Sequence, residues 1–200
     1  MVANLAEKHF ISEADYLEGE KISDIKHEYI DGEVYAMAGA SRKHNIVSAN
    51  IARLFGNHLE NTPCATFIAD LKVKAEGDFY YPDVLVACND DEGDDYYTDS
   101  PIIIIEVLSK STRRRDKVTK MNAYRTIPEL KEYVLIEQNQ VDVEVCRRSN
   151  NWFSEHYFLG DEVTFESIDL TLSVESIYQR VNNEDMQDYL QKLQSEKTES

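Results

Sequence analysis

The segment PIIIIEVL, Pro101–Leu108, constrains the fold more than any other part of the chain. Four consecutive isoleucines followed closely by valine and leucine leave no polar side to turn to water. A strand made from Ile102 to Leu108 is therefore buried on both faces and needs cover above and below it. The flanking patterns supply that cover. Ser41 is placed to cap a helix running to about Glu60, in which Ile46, Val47, Ile51, Leu54, Phe55 and Leu59 form one apolar stripe, and Pro63 closes it. A second predicted helix spans about Thr112 to Thr126 and stops before Pro128. CATFIA, LKVKA, FYYPDVLVAC, EYVLIEQ, VDVEVCRR and WFSEHYFL read as further strands. Nearer the N-terminus, Ser12 and Asp15 open a short helix ending near Gly19. His27–Ile30 and Glu33 to Ala38 then form a hairpin around Asp31-Gly32, the dipeptide that a tight turn with positive φ prefers. Helices interleaved with strands predict an α/β domain with a mixed central sheet flanked by helices.

No repeat and no Gly/Ser/Pro-rich linker divides the 200 residues, so residues 1–180 are expected to form a single domain and 181–200 a polar tail, helical or frayed. No apolar run approaches the roughly 20 residues of a membrane span, and MVANLAEKHF lacks the pattern of a secretory signal. Cys64, Cys88 and Cys146 are widely spaced and form no C-x-x-C pair. They read as reduced thiols in a cytoplasmic protein, outside any disulfide or zinc site. Twenty-one basic against 38 acidic residues give a net charge of -17, which repels polyanions at long range. Six acids between Asn89 and Ser100 predict an exposed loop, without the spacing of a calcium loop. Seven of the 21 basic residues, however, lie between Lys110 and Arg125 with the single acid Asp116, and an anionic partner is expected there.

Glu106 stands out because its neighbours from Ile102 to Leu108 are all apolar. A carboxylate buried among them costs several kcal/mol unless it is compensated. Either an arginine or a proton neutralises it near the strand end, or it helps to hold a cation. Asp83 favours the second reading. It follows Pro82, which cannot donate a ladder hydrogen bond and marks a place where the strand opens. Two converging carboxylates repel each other, and a divalent ion with oxygen ligands, Mg2+ or Mn2+, would remove that repulsion. Arg113, Lys117, Lys120 and Tyr124 follow at spacings of 4, 3 and 4, on one helical face.

PDVLVAC, the acidic loop, and PIIIIEVLSKSTRRRDKVTKMNAYRTIPELKEYVLIE together resemble the "putative restriction endonuclease" domain family of the PD-(D/E)xK nuclease superfamily. KHEYIDGEVYAMAG and SRKHN add to the resemblance, which covers residues 10 to 150 or so. It implies a restriction-endonuclease-like fold and metal-dependent hydrolysis of DNA phosphodiesters. Asp83 and Glu106 are then the expected metal ligands and catalytic residues, with Glu28 as a third ligand or merely an exposed hairpin acid. One departure is Leu108, where the superfamily pattern has a lysine. Lys120, in the stretch Asp116, Lys120, Tyr124 that matches the family's D-x-x-x-K-x-x-x-Y, is the first substitute and Lys72 the second. Taken singly, each lysine reads as a solvated surface residue. Arg113, Arg114, Arg115 and Lys117 are expected on the surface, where they could contact phosphate. His44, at a helix start, is expected either to contact phosphate or to serve as a cap. Trp152 and the tyrosine pairs at 80/81 and 96/97 read as packing residues.

The resemblance implies a Mg2+-dependent endodeoxyribonuclease with DNA as partner, and no membrane association is expected. A homodimer is expected, since two-fold symmetry suits cutting both strands of a duplex. Two other readings stay open: a non-catalytic adaptor that binds a protein through the acidic surface, favoured by Leu108, and a glycoside hydrolase using Asp83 and Glu106 as acid and base.

Overall fold

The computed structural model describes residues 10–90 and 93–199, so Asp91 and Glu92 of the acidic loop lie outside the described residues. In chain order, α1 (Glu13–Glu20) precedes the hairpin β1 (His27–Ile30) and β2 (Glu33–Ala36), and α2 (Arg42–Leu59) follows. Next come β3 (Cys64–Ile68), β4 (Lys72–Ala75), β5 (Asp78–Tyr80), β6 (Val84–Cys88), β7 (Tyr97–Thr98) and β8 (Pro101–Leu108). A helical segment ending in α3 (Met121–Tyr124) leads to β9 (Glu132–Glu137), β10 (Val143–Arg147) and β11 (Ser154–Tyr157). The hairpin β12 (Glu162–Phe165) and β13 (Leu170–Ser173), then α4 (Val174–Ile177) and α5 (Glu184–Glu199), complete the chain. Ser12 and Ser41 cap α1 and α2 through their hydroxyls, as the sequence predicts.

Six strands form the central sheet in the order β11-β10-β9-β8-β6-β3. Among the described residues of this sheet only β8 and β9 pair in parallel, and the helical segment between them makes the crossover that a parallel pair requires. Alternate residues of β8 serve opposite faces. Ile103, Ile105 and Val107 pack with Val84, Val86 and the α2 stripe of Val47, Ile51, Phe55 and Leu59. Ile104 and Leu108 pack on the other side with Leu85, Tyr133, Leu135, Met121 and Tyr124. Glu106 belongs to this second face by its spacing from Ile104 and Leu108.

A five-stranded sheet, ordered β2-β1-β5-β4-β7, adds Ile30, Val73 and Tyr80 to that second cluster. The segment FYYPDVLVAC does not make one strand. Its break at Tyr81-Pro82-Asp83 passes the chain from β5 in the smaller sheet to β6 in the larger. Proline's missing donor explains the location of the break. The acidic loop is pinned where Tyr97 and Thr98 pair in parallel with Lys72 and Val73, and Thr98 is buried. The predicted helix after β8 takes a π-helical form over Arg115–Lys120 before α3. Met186 of α5 is buried in the first cluster.

The cysteine expectation is corrected: Cys64 and Cys88 form a disulfide, and only Cys146 is a free, buried thiol. Antiparallel pairing of β3 and β6 sets Cys64 directly opposite Cys88, a proximity that a sequence separation of 24 hides. Closing a loop of that length contributes about 3 kcal/mol by the chain-entropy argument. Reduction, or the pair Cys64→Ser/Cys88→Ser, is therefore expected to lower the melting temperature by roughly 6–12 °C in thermal unfolding followed by circular dichroism.

Candidate active site

The second face of the central sheet carries a row of acids facing a row of bases. Glu106 on β8, Glu137 on β9 and Glu144 on β10 meet Lys120, Arg113 and Lys117 of the helical segment, at 2.9, 2.5 and 2.7 Å. The row is densest at Glu106. The Nζ of Lys120 lies 2.9 Å from Glu106 Oε1, 2.9 Å from Glu28 Oε1 and 3.5 Å from Asp116 Oδ1. All four side chains are buried, with no residue more than 4% exposed. Tyr124 donates its hydroxyl to Glu106 Oε1 at 3.2 Å, and Arg115 donates to Glu28 Oε2 at 3.0 Å.

Each group arrives there for a local reason. Hairpin β1–β2 delivers Glu28 from the smaller sheet. The register Val84↔Ile105, continued by one residue, sets Asp83 opposite Glu106. Asp116, Lys120 and Tyr124 lie at four-residue intervals along the crossover segment. Its Asp116 carbonyl accepts from the buried Tyr133 hydroxyl at 3.0 Å, which ties the π-helical turn to β9. π-Helical turns recur at functional sites.

Burial pushes the Glu106 carboxyl well above its ordinary range. Lys120 pulls it back, whereas Asp116 and Asp83 add to the rise. Burial lowers the proton affinity of Lys120, but Glu106, Glu28 and Asp116 outweigh it and hold the ammonium well above its ordinary range. The Asp116 carboxyl is raised, again chiefly by burial.

The structure redistributes the expected site residues. Lys120 and Lys72 are both buried, contrary to the solvated-surface reading. Lys72 stands apart from the carboxylates around Glu106. Its Nζ contacts the Tyr81 hydroxyl at 3.4 Å and lies over the Tyr81 and Tyr96 rings, and burial lowers its proton affinity. Glu28 is no exposed hairpin acid but a central member of the cluster. Asp83 accepts the Val107 N–H on Oδ2 at 2.6 Å, and its Oδ1 lies 2.8 Å from His44 Nε2. His44 thus engages a carboxylate where a phosphate contact or a cap was expected; Ser41 does the capping. Arg113, Arg115 and Lys117 spend their charge on Glu137, Glu28 and Glu144, whereas the exposed Arg114 makes no ion pair with a described residue. Trp152 packs partly buried between Arg125 and Arg148. Asp116 and the His44–Asp83 contact escaped the sequence reading. The D-x-x-x-K-x-x-x-Y spacing already signals Asp116, whereas no local pattern signals the contact.

Among the described residues, no three His, Cys, Asp or Glu side chains form an open metal cage, because the Lys120 ammonium stands where the carboxylates converge. The donor chemistry nevertheless fits a hard cation. All the carboxylate donors are oxygens, and Glu28 Oε1 accepts no hydrogen bond of proper geometry despite its burial and its nearness to Lys120. Four carboxyl groups, Asp83, Glu28, Glu106 and Asp116, face two basic side chains, Lys120 and Arg115, so acids exceed bases by two in the cluster.

Comparison with known proteins agrees with this architecture. Two cyanobacterial proteins of Synechocystis sp. (strain ATCC 27184 / PCC 6803 / Kazusa) are similar in sequence. Uncharacterized protein slr1290 is 33% identical over 173 residues, covering 84% of this chain and 91% of its own length. Uncharacterized protein sll1609 is 34% identical over 139 residues, covering 67% and 78%. A crystal structure described as a putative nuclease belonging to DUF820, from Anabaena variabilis ATCC 29413, superposes with a TM-score of 0.71 at 19% identity, covering 86% of this chain and 99% of that one. That likeness shows a mixed α/β nuclease fold. The profile of the Uma2 family, "Putative restriction endonuclease", matches residues 14–175, and the chain belongs to that family.

Proposed function

We propose that this protein is a metal-dependent endonuclease that hydrolyses DNA phosphodiester bonds. The observation that carries the reading is the convergence of Glu28, Glu106 and Asp116 on one buried ammonium, with Asp83 beside Glu106, in a chain of this family. Asp83, Glu106 and Glu28 would hold Mg2+ or Mn2+, with catalysis assigned to Asp83, Glu106 and Lys120. When bound, the cation lowers the pKa of water and offsets negative charge on the phosphoryl group.

The chain's own groups do the rest. Lys120, kept charged by its neighbours, is the donor available to a phosphate oxygen or to the attacking water, the task that Leu108 cannot perform. Tyr124 orients Glu106, and the Val107 N–H together with His44 orients Asp83. The exposed Arg114 is the phosphate anchor against a -17 body, joined by Arg113 and Lys117 where a phosphate displaces Glu137 and Glu144, and by Arg115 from its place on Glu28. A homodimer would bring two such sites to a duplex.

A nicking assay on supercoiled plasmid tests the reading. Conversion to open-circular DNA is expected with Mg2+ or Mn2+, and none with EDTA. Intact plasmid under every metal condition, together with no metal-linked rise in melting temperature, would refute it and leave the adaptor reading standing.

A further inference from the structure

We propose that Asp116 is a positioning residue for Lys120: it is the anchor toward which the ammonium withdraws when a divalent cation takes its place between Glu28 and Glu106. The inference rests on the endonuclease reading above and adds a role for a residue outside the ligand set.

The ammonium and a metal ion cannot share the space between two glutamates. Lys120 is 4% exposed, so leaving that space for water would mean abandoning a buried position and every counter-charge. Asp116 offers the alternative. It sits four residues earlier on the same π-helical turn, so side-chain rotation keeps the pair together without moving the backbone. Its separation from Nζ, 3.5 Å against 2.9 Å to each glutamate, shows an ammonium that leans on the glutamates and has contact with Asp116 still to gain. The other carboxylates are committed: Glu28 to Arg115, and Asp83 to His44 and the Val107 N–H. Among the described residues Asp116 pairs with no cation other than Lys120, and the Tyr133 hydroxyl bonds its backbone carbonyl.

Titration calorimetry with Mn2+ alone on the full chain, comparing the parent, Asp116→Asn, Lys120→Gln and the double variant, measures the coupling. Without its anchor, Lys120 stays on the glutamates, so Asp116→Asn should weaken Mn2+ binding by about tenfold. With Lys120 gone there is nothing to anchor, and the same change should cost less than about threefold. An equal loss in both backgrounds would make Asp116 a ligand or a structural acid and overturn the proposal, as would no loss in the parent background. Either outcome leaves the endonuclease reading intact, whereas no Mn2+ binding by any of the four proteins would sink both. The unsubstituted protein gives a second measurement should Asp116→Asn fail to fold. The 15N signal of the Lys120 ammonium should shift as Mg2+ saturates the site, and a signal unmoved at saturation would overturn the proposal.

Discussion

Glu106→Gln is expected to reduce plasmid cleavage by about a thousandfold or more, while leaving the metal-free protein at least as stable as the parent. The amide keeps an oxygen for Lys120 and Tyr124, so packing and hydrogen bonding change little. What disappears is a buried negative charge that Asp116 and Asp83 both disfavour. Lys120 is not stranded, because Glu28 and Asp116 remain. A net gain of about 1 kcal/mol is expected near neutral pH. Its sign follows from the raised pKa. Below the ordinary value of 4.5 the parent carboxyl is protonated in both folded and unfolded chains, and the variant has no advantage. As pH rises through that value, the unfolded chain releases a proton that the fold retains, and the advantage grows until the folded carboxyl also ionises. Urea unfolding across pH checks the stability, and the nicking assay checks the activity. Loss of both together would mean that Glu106 serves the fold and not the chemistry.

Why the sequence reveals Glu106 so plainly, and its surroundings so poorly, follows from which interactions are local. A carboxylate inside four isoleucines, two capping serines and an Asp-Gly turn are short-range features, and the strand, both helices and the hairpin appear where those features place them. Pairing between distant strands is invisible at that range. The disulfide needs the β3–β6 register, and the His44–Asp83 contact needs α2 packed over the β6–β8 pair. Burial of Lys120 was missed for a related reason. A basic run with one acid looks like a solvated face, and the compensating charges arrive from β1, β8, β9 and β10, as many as 92 positions away in the case of Glu28 and Lys120. The hairpin β12–β13 alternates polar and apolar residues in EVTF and LTLS, and Val163 and Phe165 are buried in the first cluster, where Phe55 of α2 meets Phe165 edge-on.

Lys120→Met should have the opposite signature to Glu106→Gln, destabilising the metal-free protein by about 3–5 kcal/mol. Methionine fills much the same volume, so packing loss is small and charge dominates. Removing one of three acids leaves the base with partners, whereas removing the only base they share leaves Glu106, Asp116 and Glu28 facing one another with Arg115 alone nearby. The melting temperature should fall by roughly 6–20 °C. Two measurements separate electrostatics from simple damage to the core. Adding Glu106→Leu to Lys120→Met should recover more than half of the loss, since an apolar pair of similar volume needs no counter-charge. Millimolar Mn2+ should raise the melting temperature of Lys120→Met more than that of the parent, because a cation then supplies the charge the ammonium had provided. A single variant as stable as the parent without metal would show that the three carboxylates already hold protons, and that Lys120 is not what reconciles them inside the sheet.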